Sequence, residues 1–131
     1  MSEDITEIFW RSCEAFDRGD YEQALEAFDP EIEYDLTHFP EGRVYHGHDG
    51  VREAFQTWMG AFDEYRQDRE LVAASDDSLV VAVNEYGRGK ASGAEVLRTT
   101  YGLWTMREGR AIRITFFETR DAALDAAGLS E

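Results

Sequence analysis

Apolar side chains recur at helical spacing in the first half of the chain and at every second position in much of the last half. Over residues 4–18, Ile5, Ile8, Phe9, Cys13 and Phe16 mark one face of a helix. Asp4 with Glu7 is a capping-box-like start, and Gly19 stops the helix. Asp20 caps a second, short helix whose buried side is Tyr21, Ala24, Leu25 and Phe28, and Asp29-Pro30 ends it. Residues 31–36 alternate as a strand, with Ile32, Tyr34 and Leu36 on one face and Glu33 and Asp35 on the other. A loop over 37–47 follows. Residues 48–62 carry the broadest helical stripe, Val51, Ala54, Phe55, Trp58, Met59 and Phe62.

From there the period shortens. Residues 64–74 read as a strand of mixed charge near a sheet edge, Asp76-Asp77-Ser78 as a turn, and 79–86 as a buried strand. The Gly-rich stretch 87–93 lacks phosphate-loop spacing and opens no helix. Residues 95–107 and 110–118 form a hairpin about Glu108-Gly109. With that turn, Thr105 faces Ile112, Leu103 faces Ile114 and Tyr101 faces Phe116 on one surface. Met106 with Ala111, Trp104 with Arg113 and Thr100 with Phe117 share the other. Neither surface is simply polar, so both need a cover: the chain's own helices and a second subunit. Residues 120–127 form a last helix, with Gly128 as a left-handed cap and Leu129 folded back on Leu124. Helices grouped ahead of a strand meander mean an α+β fold in one domain, residues 1–131.

Charge narrows the partners. The net charge is −15 and the isoelectric point near 4.4, which repels nucleic acid and anionic membranes. Cys13 is the single cysteine, so no intrachain disulfide forms. The acidic start MSEDITEIF lacks a signal-peptide pattern and no apolar run reaches membrane-spanning length, so the cytoplasm is the default.

The run Gly47-His-Asp-Gly-Val-Arg-Glu-Ala-Phe55 with Trp58, the glycines of 87–93, Trp104-Thr-Met-Arg-Glu-Gly-Arg110 and Ala122-Ala-Leu-Asp-Ala-Ala-Gly-Leu129 come in a telling order. In them the chain resembles the SnoaL-like branch of the NTF2-like superfamily. The resemblance implies a cone: a strongly curved antiparallel sheet packed on N-terminal helices, an apolar pocket beneath it, and a homodimer through the outer sheet face, here Trp104 and Arg113. Family members include isomerases, polyketide cyclases, epoxide hydrolases and dehydratases, and many pocket-bearing proteins without assigned activity, so fold alone does not choose.

Such enzymes need a carboxylate or histidine inside an apolar cavity, where burial makes a usable base. Related epoxide hydrolases place an aspartate on the last strand, and the matching position here is Phe116. Glu118 lies two residues on and could substitute, although helix capping or a surface ion pair competes with catalysis. Ketosteroid isomerase relatives carry a base near the first strand, which points to Tyr34, Asp35 and His38. Alternation puts Tyr34 inside and Asp35 outside, whereas His38 is less constrained. The expected catalytic candidates are His38, Glu118 and Asp35. The expected pocket wall is Tyr34, Trp58, Phe62, Tyr101, Leu103, Ile114 and Phe116. His38, His46 and His48 lie close in sequence, but no metal signature supports them, and no cofactor or metal is expected. The expected ligand is an apolar small molecule handled by cofactor-free proton transfer; the alternative is a non-catalytic binding or dimerisation module.

Overall fold

The computed structural model describes residues 4–130. Helix α1 (Ile5–Asp17) begins where the Asp4 carboxylate accepts from the Thr6 backbone N–H. Asp20 caps α2 (Tyr21–Ala24) in the same way through Gln23, and a 3-10 turn, Leu25–Ala27, leads into strand β1 (Phe28–Asp35). Asp29-Pro30 therefore opens a strand instead of closing a helix. Pro30 costs no ladder bond there, because the pairing of β1 with its neighbour β6 is interrupted between Phe28 and Glu33. The expected loop contains a short strand β2 (Val44–His46), and α3 (Gly47–Met59) ends before Phe62. Phe62 starts β3 (Phe62–Ala74), followed by β4 (Ser78–Gly89), β5 (Glu95–Arg107), β6 (Arg110–Phe117) and α4 (Arg120–Ala127).

The six strands form one sheet in the order β2-β1-β6-β5-β4-β3. The meander β3 to β6 is antiparallel, but β1 runs parallel to β6. The expectation of a strongly curved antiparallel cone is thus corrected. The sheet is mixed and open, with β2 and β3 as free edges, and it is not strongly curled or closed. The parallel pair follows from chain order, since β2, α3 and the strands β3, β4 and β5 intervene between β1 and β6 and bring the chain back in the same direction.

The hairpin turn forms as expected, with Glu108 at φ 52° and Gly109 at φ 78°. Its register is not as expected. Met106 pairs with Ala111, but Thr105 pairs with Arg113, so Ile112 is an extra residue in β6. From there on every partner moves by one: Trp104 faces Ile114, Leu103 faces Thr115, Gly102 faces Phe116 and Tyr101 faces Phe117. A one-residue slip exchanges the faces. Trp104 accordingly points to the α1 side, edge-on to Phe9 at 4.9 Å and Phe28 at 5.4 Å, in a core with Leu79, Val81 and Ile114. Leu103 and Phe117 point to the other side, where they pack with Val80, Ala123 and Leu124 beneath α4, and Tyr101 and Leu129 join them. The second face is therefore covered in part by the chain's own last helix. Gly128 at φ 68° and the Leu129 N–H donating to the Leu124 carbonyl close that helix as expected.

Arg113 does lie on the second face, but it has left Trp104 and joins β1 to β6. Its Nη2 donates to Asp35 at 2.8 Å, its Nη1 lies 3.2 Å from Glu33, and its Nε donates to Thr115. Asp35 also accepts from the Thr37 backbone N–H and hydroxyl. Burial pushes the Asp35 pKa up, but the Thr37 and Arg113 hydrogen bonds together outweigh it and hold the carboxyl below its usual range. Such a group stabilises the fold above its unfolded pKa of about 3.9 and loses that contribution as pH falls through the lower folded value. Asp35→Ala is expected to lower the unfolding free energy by about 1.5–3 kcal/mol at pH 7, kept to that range because Arg113 is half-exposed. In urea titrations the gap between wild type and variant should close only below about pH 4; an equal gap at pH 7 and pH 2.5 would contradict this assignment.

Candidate functional site

Between the sheet and the helices lies a cavity of about 430 Å³. Strand parity decides its lining. On β4 the odd positions face the helices, and their partners on β5 are even: Val83 opposite Thr100, Glu85 opposite Arg98. On β3 the partners are odd: Gln67 opposite Glu85, Arg69 opposite Val83. Opposite walls are aromatic, with Tyr34 edge-on to Phe116 at 5.0 Å and Phe16 edge-on to Phe55 at 5.2 Å. Leu36, Phe39, Pro40 and Gly42 of the β1–β2 loop line it as well.

A polar ladder crosses this apolar surface. Gln67 Nε2 donates to the Tyr65 hydroxyl at 2.6 Å, and Tyr65 donates to Glu85 Oε1 at 3.1 Å. Arg98 Nε donates to Glu85 Oε2 at 3.0 Å. Glu85 is 7% exposed, so a carboxylate is held inside the molecule by two partners of its own sheet. The Arg98 guanidinium lies 4.3 Å over the Trp58 ring and 5.4 Å over Phe39, tying the ladder to α3 and the loop. The Trp58 Nε1–H is buried and closes no hydrogen bond of normal geometry. It nevertheless lies near enough to the Tyr65 oxygen to oppose the rise in that phenol's pKa.

Burial is the largest cause pushing the Tyr34 phenol well above its ordinary value, with Tyr65 and Glu85 adding to it and Arg69 opposing. Tyr65 is pushed up in the same direction by burial and Glu85. Both phenols stay protonated at neutral pH; Tyr65 donates to Glu85, and the Tyr34 O–H is a donor without a protein acceptor among the described residues. The Cys13 thiol also lines the cavity, and burial pushes it up to about 12 against the pull of Arg69. It is a neutral wall group at pH 7, not a nucleophile.

Of the expected wall residues, Tyr34, Trp58, Ile114 and Phe116 line this cavity. Phe62 stands behind it, edge-on to Trp58 at 5.0 Å. Tyr101 and Leu103 lie on the opposite face of the sheet, placed there by the bulge. Of the expected catalytic residues, His38 is exposed and stacked on Phe117 at 4.6 Å, Asp35 is bound to Arg113, and Glu118 is exposed just beyond β6. None of the three lines the cavity. His48 Nε2 lies 2.9 Å from the Phe28 carbonyl, which can only accept, so that nitrogen carries the proton. Among the described residues no group of three or more His, Cys, Asp or Glu side chains could hold a metal ion, and no helix is long and apolar enough to cross a membrane. Sequence reasoning misses Glu85, although it is the one carboxylate of β4 and stands at the inward parity of Leu79, Val81 and Val83.

An open mixed sheet backed by helices, with an aromatic cavity holding a polar ladder at its wall, is an NTF2-like architecture. The sequence profile of the SnoaL-like domain family matches residues 10–114, and this chain belongs to that family. No curated protein matches the chain in sequence. Solved structures share its fold. An NTF2-like protein from Burkholderia thailandensis is similar at 19% identity, with 98% of this chain and 99% of that one covered and a TM-score of 0.79. TerC, co-crystallised with polyporic acid, is similar at 20% identity over 94% and 97%, with a TM-score of 0.76. A putative SnoaL-like polyketide cyclase from Mesorhizobium loti is similar at 23% identity over 88% and 99%, with a TM-score of 0.71.

The cavity wall depends on a close approach at Gly87. A Cβ there would lie 2.6 Å from Phe62 Cδ1, and Phe62 is buried against Trp58. Gly87→Ala is expected to push both rings and lower stability by about 1–3 kcal/mol in urea titrations. A loss below about 0.5 kcal/mol would mean that the Phe62 ring has room to turn.

Proposed function

We propose that this chain binds an apolar small molecule in the cavity and catalyses cofactor-free proton transfer on it, with Glu85 as the base. The supporting observation is the buried Glu85 carboxylate, oriented by Tyr65 and Arg98 and opening on an aromatic cavity. In this reading Glu85 removes a proton from the carbon beside a carbonyl. The C–H electron pair moves into the C–C bond and the carbonyl pair onto oxygen. Tyr34, a protonated phenol, or a free N–H of Arg98 donates to that oxygen. The proton then returns from Glu85 to a different atom, which yields isomerisation, or leaves with a hydroxyl as water, which yields dehydration. This reading gives His38, Asp35 and Glu118 no catalytic role, since none of them lines the cavity.

Residues 1–131 would act as one such domain, and as a homodimer through the part of the second sheet face that α4 leaves open, where Leu97 is 72% exposed. One observation favours the second reading, a binding module without turnover: both Glu85 oxygens already accept a protein hydrogen bond.

Exchange of the α-protons of 2-tetralone in D2O, followed by proton NMR, separates the two. Wild type should accelerate exchange over buffer, and Glu85→Gln should remove about a hundredfold or more of that acceleration. Exchange at the buffer rate with wild type, or unchanged exchange with the variant, would leave the binding module standing.

A further inference from the structure

The Arg69 side chain reaches the cavity wall from β3 and is only 8% exposed, so it is among the most deeply placed charges in the molecule. Its one ionic partner among the described residues is Asp17 at the end of α1. Both contacts use a single nitrogen: Nη1 donates to Oδ1 at 3.0 Å and to Oδ2 at 3.1 Å. A guanidinium has five N–H donors in a planar fork. Nε and Nη2 of Arg69 have no protein acceptor among the described residues, while its carbon centre lies 5.4 Å over the Phe16 ring. Both nitrogens keep accessible surface, so they present spare donors beside the aromatic wall that a ligand oxygen can engage in place of water.

We propose that Arg69 makes this end of the cavity a subsite for an ionised oxygen, so that the ligand is an aromatic acid: a ring system bearing a carboxylate, or an acidic phenol or enol. The inference rests on the cavity reading above and names its substrate class. Asp17 does not cancel the subsite. It is more than half exposed, so water screens it, whereas Arg69 is buried. At Cys13, which shares this wall, the pull of Arg69 on the thiol exceeds the push of Asp17. The Thr100 hydroxyl-bearing side chain lies at the same level, across Val83 from Arg69, and is buried against the cavity. The spacing suits a fused ring system. Arg69 sits two residues along and one strand over from Glu85, about 8 Å between backbones. An acid anchored at Arg69 would lay its ring against the edge-on pair Tyr34 and Phe55 and carry its far edge to Glu85. A molecule of net charge −15 repels such an acid at long range, so the preference must come from contact with the buried guanidinium.

Calorimetric titration with naphthalene-2-carboxylate and with naphthalene-2-methanol tests this on wild type, Arg69→Gln and Asp17→Asn. Wild type should bind the carboxylate about tenfold or more tighter than the alcohol. Arg69→Gln should erase that preference while the alcohol stays within about twofold of its wild-type affinity. Asp17→Asn keeps the arginine and removes the competing negative charge, so carboxylate affinity should rise by about threefold with the alcohol unchanged; this variant stands in if Arg69→Gln does not fold. Equal binding of the two ligands by wild type, or a preference for the carboxylate that survives Arg69→Gln, overturns the acid subsite and leaves the cavity reading intact. No rise in carboxylate affinity with Asp17→Asn also counts against it. Binding of neither ligand ends the cavity reading, and the subsite with it.

Discussion

One extra residue in β6 decides what this molecule holds inside. Without the bulge at Ile112, Trp104 would face outward beside Arg113, and Leu103 and Tyr101 would fill the space beneath the helices. With it, Trp104 enters the core with Phe9 and Phe28, and Gly102 comes opposite Phe116 on the cavity side. Leu103 and Phe117 become the seat of α4. Arg113 is released to bind Glu33 and Asp35, which locks the parallel pairing of β1 with β6. The bulge therefore couples three features that look separate: an emptied cavity, a covered second face and a joined parallel pair.

The cavity then sets the terms for its charges. Glu85, Arg98 and Arg69 lie on strands whose other inward positions are mostly apolar, so each must be paired or shielded. Glu85 meets this need with Tyr65 and Arg98, and Arg98 shares its charge with the faces of Trp58 and Phe39. Arg69 borrows Asp17 from α1 and stacks over Phe16. The result is a wall with a carboxylate on β4 and a guanidinium one strand over and two residues along, held by sheet geometry instead of loop conformation. That arrangement is what the proposed removal of a proton by Glu85 from an anchored acid requires.

Local chemistry made much of this legible before the structure. Asp4 and Asp20 announce helix starts, Glu108-Gly109 announces a tight turn, and Gly128 with Leu129 announces a helix end, because each of these satisfies backbone groups within a few residues. Long-range pairing was not legible in the same way. Asp29-Pro30 reads as a stop in isolation, and only the interrupted pairing of β1 with β6 lets a proline sit in a strand. The bulge leaves no mark in the sequence beyond Ala111 and Ile112, two adjacent apolar residues, and it reversed the faces of Trp104, Leu103 and Tyr101. The family resemblance points to β1, the following loop and the end of β6 for candidate chemistry. The ladder lies on β3, β4 and β5. Glu85 could have been found by asking why one carboxylate stands at an inward position of a buried strand.

Proton–proton distances in solution test the bulge most directly. A two-dimensional NOE spectrum of the aromatic and methyl protons should connect the Trp104 indole to the Phe9 and Phe28 rings, and the Leu103 methyls to those of Leu124. Contacts from Trp104 to Arg113, with Leu103 and Tyr101 reaching Tyr34, would place β6 one residue back in register. They would contradict both the cavity described and the chemistry proposed for it.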